Sequence, residues 1–200
     1  MGDITKVLLS TGELAMASDK NIILTKLAVT DKAFSLFGSE VPIITNIFKP
    51  LLVHNKNLAG SIPKIYKGEN YNGFPYVMMD YPATFEKENI FAIRTMFWWG
   101  NFISITLHIS GTHKKFWEKN IFTKLETSED FFIAMGENEW QHHFEADNYI
   151  LFSLLTAEQK KFAAEKNFLK ISLKYELHHW NMMQSILPNG YKAIADLIIG

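Results

Sequence analysis

The chain has 200 residues, 48% of them apolar and 14% aromatic, enough to bury a substantial core and to exclude intrinsic disorder. Its 20 basic residues nearly balance its 21 acidic ones, and the lysines are scattered from Lys6 to Lys192, so no basic face selects nucleic acid as a partner. Cysteine is absent, which excludes disulfides, thiolate nucleophiles and cysteine-ligated zinc.

Near the N-terminus the run VLLSTGELAMA is broken by Gly12 and Glu13 and does not read as a signal peptide. Met1-Gly2 opens like a myristate acceptor, but Lys6 stands where that motif has Ser or Thr. No run approaches the ~20 apolar residues of a bilayer span. These features point to the cytoplasm, with neither membrane nor nucleic acid as a partner, and no motif implies a cofactor.

Residues 1–53 read as mostly helical. In TDKAFSLFG, Thr30 or Asp31 is a candidate N-cap and Gly38 a stop. In EVPIITNIFKPLL, Pro42 suits the first turn of a new helix and Pro50 its kink or end. From 54 to 75, HNKNLAGSIPKIYKGENYNGFP is rich in Asn, Gly and Pro and reads as a long irregular connection. Tyr66, Tyr71, Tyr76 and Tyr81 recur every five residues, which matches neither a helical nor a strand period, so the spacing reads as chance.

The remainder, 76–200, reads as sheet-rich. YVMMDY is a short strand ended by Pro82, and NIFAIRTMFWW and FISITLHIS are strands by their β-branched and aromatic content. GTHKKFWEKNIF reads as a helix capped by Thr112, with Phe116, Trp117 and Ile121 on its buried side. DFFIAM and WQHHFE suggest a second hairpin around Gly136-Glu137-Asn138. TAEQ, Thr156 to Gln159, is a capping box that opens a helix to about Lys166. In FLKISLKYEL, Leu169, Ile171, Leu173, Tyr175 and Leu177 alternate with Lys170, Ser172, Lys174 and Glu176, a strand with one wet face. Two short helices separated by LPNG close the chain. The expectation is a single α+β domain over residues 1–200, a largely antiparallel sheet flanked by N-terminal and C-terminal helices.

Nineteen of the 20 basic residues are lysine; the one arginine, Arg94, lies in the central hairpin segment. A one-residue slip in register exchanges the two faces of a strand, so hydrophobic segregation selects the turn. A three-residue turn at Trp99-Gly100-Asn101, with Asn101 left-handed, pairs Trp98 with Phe102 and Arg94 with Thr106. It puts Phe91, Ile93, Phe97, Ile103, Ile105, Leu107 and Ile109 on one face. Arg94, Met96, Trp98, Ser104, Thr106 and His108 fall on the other.

A guanidinium stacks on aromatic rings and grips a carboxylate or phosphate with two parallel bonds, which lysine cannot do. One reading of Arg94 is therefore an anion clamp, with Trp98, Thr106 and His108 beside it as ligand-binding residues. The other is an internal ion pair, for example with Asp80 of the neighbouring strand. His142-His143 lies among Glu137, Glu139, Glu145 and Asp147, and on a strand His143 and Glu145 would share a face with access to His108. His108, His143 and Glu145 are thus weak metal-ligand candidates, since no HExxH or similar spacing occurs. Neither GxSxG nor a phosphate-binding glycine motif is present. Trp98-Trp99 at a hairpin tip suggests a ligand, a homodimer contact, a contact with the N-terminal helices or packing beneath the 54–75 connection. The leading functional expectation is an anionic-ligand-binding protein; the alternatives are a metal-assisted hydrolase and a dimeric interaction protein.

Overall fold

The computed structural model describes residues 7–199, without the side chains of residues 54, 56 and 57. The Met1-Gly2 and Lys6 readings therefore lie outside the described residues.

A short helix α1 (Thr11–Ser18), held by a capping box between Ser10 and Glu13, leads into α2 (Lys20–His54). The helix α2 does not stop at Gly38 or restart at Pro42: it runs unbroken through Gly38, Pro42 and Pro50. An interior proline costs about 3 kcal/mol by losing one hydrogen bond and crowding the preceding turn. Phe37, Ile44 and Phe48 lie on one stripe of α2 and are fully buried, and each buried side chain of that size returns ~1.5–3 kcal/mol. Tertiary packing overrides the local signal. By length and composition α2 also qualifies to cross a membrane, contrary to the reading above, because an 18-residue window within Lys20–Val53 has at most two charges. It is the one such helix among the described residues, and a third of that window is buried inside the domain.

The expected connection over 54–75 instead holds a one-turn helix α3 (Lys56–Ala59) and an edge strand β1 (Lys64–Tyr71). Next come β2 (Phe74–Glu86), which continues through Pro82 past a register shift between Asp80 and Ala83, β3 (Asn89–Trp98) and β4 (Phe102–Ser110). These four form a meander. Helix α4 (Gly111–Leu125) leads to β5 (Phe132–Ala134) and β6 (Tyr149–Leu151). Then α5 (Ala157–Glu165), capped by Thr156 and Gln159 as expected, precedes β7 (Phe168–Glu176). A 3₁₀ turn over Leu177–Met182 enters α6 (Met183–Ile199), which passes through Pro188-Asn189-Gly190 without a break. A Cβ at Gly190 would lie 2.4 Å from the Tyr175 hydroxyl and 2.6 Å from Ile105 Cδ1, so both side-chain ends would have to shift to admit one.

The result is α+β: one seven-stranded sheet in the order β1-β2-β3-β4-β7-β5-β6, with every recorded pairing antiparallel and the N-terminal and C-terminal helices flanking it. The central register is the three-residue one, Trp98 with Phe102 and Arg94 with Thr106. The left-handed residue of that turn is Gly100 (φ 69°), not Asn101, whose amide instead donates to the Trp99 carbonyl at 2.7 Å.

The two faces differ. Val77, Met79, Phe91, Ile93, Phe97, Ile103, Ile105, Leu107, Ile109, Leu169, Ile171 and Leu173 join α2, α4 and α6 in one apolar core. The opposite face carries Tyr66, Asp80, Arg94, Thr106, His108, Lys170 and Ser172 in adjoining rows and is covered by the segment between β5 and β6. Two elements therefore depart from expectation. The WQHHFE segment is an irregular cover rather than a strand, and β5 pairs with β6 and β7 instead. Lys170 and Ser172 are buried by that cover rather than wet. In α4, Trp117 and Ile121 are buried as expected, but Phe116 is 78% exposed. Thr112 bonds Asn89 and does not cap the helix, whose N-cap is Ser110.

Candidate functional site

The pleat of β2, β3, β4 and β7 sets Asp80, Arg94, Thr106 and Ser172 in one cross-strand row. Arg94 is buried and closes on Asp80 through both arms of its fork, Nε to Oδ1 at 2.7 Å and Nη2 to Oδ2 at 2.9 Å. Nη2 also donates to the Tyr66 hydroxyl at 3.2 Å, and that hydroxyl donates to Asp80 Oδ2 at 3.0 Å. The second amino group meets His142 Nε2 at 3.0 Å. A guanidinium only donates, so His142 Nε2 accepts and its proton sits on Nδ1. Burial pulls the Arg94 pKa down, but the hydrogen bond and charge of Asp80 outweigh it and leave it raised. Of the two readings of Arg94, the geometry is the internal ion pair with Asp80: the face of the guanidinium that would grip a ligand carboxylate already grips a protein one.

One row away, His108 lies between Ala92 and Lys170. Burial, then the charges of Lys170 and Arg94, hold its imidazole down to about 2. It is neutral at any working pH, so its contact with Glu139 (Nε2 to Oε2, 3.0 Å) is a hydrogen bond donated by the ring to the carboxylate. Lys170, 1% exposed, donates to the Gln141 carbonyl at 2.5 Å, and burial brings its ammonium down to about 7. Thr106 and Ser172 bond each other at 2.8 Å. The cover is fastened from β1: the Tyr71 hydroxyl accepts from the backbone N–H groups of His142 and His143 at 2.5 and 3.2 Å.

Thr106 and His108 therefore share the Arg94 face, but Trp98 belongs to a separate aromatic group at the hairpin end. Its indole donates to the Tyr71 carbonyl at 3.1 Å and its rings meet Tyr71, Phe74 and Phe102. The aromatic ring against the guanidinium is Phe85, 5.8 Å away. Trp98 is buried, and Trp99 packs on the opposite side with Phe97. His108, His143 and Glu145 do not converge: His108 bonds Glu139, His143 approaches Asp147 at 3.8 Å, and Glu145 is exposed on the irregular cover. Among the described residues no group of three or more His, Asp or Glu side chains is arranged to hold a metal ion. Tyr66, Tyr71 and Tyr76 do converge on the polar face, because the irregularity in β1 between Gly68 and Tyr71 resets the pleat.

The polar row reaches solvent at a cavity of about 960 Å³. Glu139, the partner of His108, forms part of its wall; the start of α4 at Ser110-Gly111 forms another. The Ser110 hydroxyl accepts from the Ile90 N–H and does not cap α4, which starts at this wall, while Asn89 Oδ1 takes the Thr112 N–H. Lys114 pairs with Glu118 at 2.8 Å. Lys166 is half-buried and donates to the carbonyl oxygens of Ala134 and Gly136; it forms no ion pair among the described residues. Burial brings its ammonium down to about 8. Lys87, Glu88, Lys115, Glu137 and Glu165 are exposed around the cavity.

In comparison with known proteins, no family model matches this chain, and no curated protein and no solved structure matches it either.

Proposed function

We propose that this chain is a cytoplasmic small-molecule-binding domain that takes an anionic ligand in the charged cavity beside Glu139. The observation that carries the reading is Lys166, a half-buried ammonium at the cavity wall that donates to carbonyl oxygens, lies 4.3 Å from the Phe168 ring and feels the charge of Glu137, but has no ion-pair carboxylate within reach among the described residues. The other charges in the inner wall already have partners, Lys114 with Glu118 and Glu139 with His108. An anion between Lys166 and the start of α4 would meet a cation and a helix dipole together. Arg94 then supports the site from behind by fixing the sheet and its cover, and does not touch the ligand. One chain lines the cavity, so this reading does not require a homodimer.

Thermal unfolding with inorganic phosphate, succinate and citrate tests it. Saturating concentrations of at least one are expected to raise Tm by about 2–4 °C. The gain should shrink at high salt and disappear in Lys166→Gln. If none of the three raises Tm, or if the gain survives in Lys166→Gln, the reading fails.

A further inference from the structure

Helix α4 separates two cavities of opposite chemistry. Ser110, Lys114 and Glu118 turn toward the charged cavity, whereas Thr112, His113, Phe116 and Trp117 turn toward another of about 520 Å³. The ends of α2 and α6 close this second space, with Leu51 on one side and Ile198 on the other. No Lys, Arg, Asp or Glu is among the described residues that line it.

We infer that this second cavity is a binding site for a neutral small molecule with a flat apolar body and a single hydroxyl or amide group. Its volume falls within the range of small-molecule pockets, ~300–1,000 Å³. Its walls are largely apolar; among its polar groups Asn89 Oδ1 accepts from both the N–H and the hydroxyl of Thr112, and Asn55 stands at the end of α2. Two further features lack an explanation within the protein. His113 is 6% exposed and stacks on Trp117 with ring centroids 5.6 Å apart, yet its Nε2 has neither solvent nor a hydrogen-bond partner. A buried polar atom left unpaired is costly, and burial holds this imidazole below its ordinary pKa. The ring lines the cavity with Nε2 behind its accessible wall, so the ring has to turn before a ligand hydroxyl can complete it. Phe116, at the rim, stands 78% exposed, and an aromatic ring seated in the cavity would cover it.

The absence of charge among the described lining residues separates this ligand from the anion proposed above. An anion here would be desolvated against Leu51, Trp117 and Ile198 with no cation among the described residues to receive it. The lining therefore selects against charge while admitting one hydrogen bond.

The test is NMR titration of the full chain with 4-methylphenol, toluene and 4-methylbenzoate, read at the Trp117 indole N–H and the Ile198 methyl groups. The expected order is 4-methylphenol tightest, toluene about tenfold weaker, the scale of one hydrogen bond, and 4-methylbenzoate weaker still. His113→Phe should keep toluene binding and cut the preference for 4-methylphenol to less than threefold. Phe116→Ala, a change at an exposed position, should weaken all binders in an unaltered fold. Unmoved Trp117 and Ile198 signals with both neutral probes overturn the inference. Equal or tighter binding of 4-methylbenzoate at these signals overturns it too, as does a phenol preference that survives in His113→Phe.

Discussion

The two faces of the sheet come from the same strands and are almost equally buried, yet they are closed by different physics. Toward the helices, Ile93, Ile103, Ile105 and Leu107 pack against α2 and α6 with no need for direction. On the other side, Asp80, Arg94, His108 and Lys170 are buried just as deeply, each held by named hydrogen bonds. An apolar face tolerates loss of any one member in proportion to its area. A polar face does not, because each group removed strands a partner. The difference explains why the helical side is covered by regular elements and the polar side by an irregular segment. Only irregular backbone offers free groups such as the Gln141 carbonyl and the His142 N–H to satisfy side chains and receive them.

That contrast can be broken most sharply at Asp80. Asp80→Ala leaves the Arg94 charge buried with only Tyr66 and His142 against it, and is expected to cost about 3–5 kcal/mol in urea unfolding. The double change Asp80→Leu with Arg94→Met should recover most of the loss. In the apolar core between sheet and helices, Ile44→Val in α2 should cost only about 1 kcal/mol. If Asp80→Ala costs no more than Ile44→Val, the polar face is solvated in solution and the comparison collapses.

The apolar face was legible in the sequence and the polar one was not, for a reason visible in single residues. Hydrophobic segregation between Phe91 and Ile109 selected the right register, and with it the neighbourhood of Arg94, Thr106 and His108. Local punctuation then misled. Gly38, Pro42 and Pro188 read as helix ends but lie inside α2 and α6, because burial of Phe37, Ile44, Leu187 and Tyr191 outweighs their local preference. Lys170 obeyed the strand alternation and was read as wet, since alternation tells which face a residue is on and not what covers that face. The cover is His142-His143, whose partners are Tyr71 and Arg94, 71 and 48 residues away; nothing local encodes such contacts. Among the site residues, Asp80 was within reach of the sequence because its strand neighbours that of Arg94, while Lys166 carried no sequence signal.

Lys170 offers a second test of the polar face, through pH. Its ammonium titrates at about 7 in the fold against 10.5 in the unfolded chain. Below pH 7 both states hold the proton and the penalty of burying it is complete. Between 7 and 10.5 the folded state sheds the proton while the unfolded state keeps it, so stability rises with pH. Wild-type protein is therefore expected to gain about 2 kcal/mol from this group between pH 7 and 9. Lys170→Met should lack that part of the slope. Lys166, held at about 8, adds a slope of its own in both proteins, so the observable is the difference between the two urea-unfolding curves. Parallel curves would mean that Lys170 reaches water.

The smallest expected effect comes from a residue that breaks the rule on the helical side. Glu40 lies in α2, is 1% exposed, and its Oε2 has no hydrogen-bond partner. Burial raises its carboxyl to about 7, from 4.5 in the unfolded chain. The sign is opposite to that of Lys170. Below pH 4.5 both states are protonated, and from there to pH 7 the unfolded chain ionises first, so stability falls as pH rises and the loss is complete above 7. Water entry and local relaxation on ionisation keep the penalty well under that of a rigid dry core. Glu40→Gln preserves shape without the charge, and at pH 8 it should stabilise the protein by about 1 kcal/mol, or 2–4 °C in Tm. At pH 4.5 the two proteins should melt together. A constant gain at both values would assign the effect to packing rather than ionisation, and an equal Tm at pH 8 would mean that Glu40 finds a partner when charged. In either case Glu40 would add no ionisation penalty of its own to the helical face.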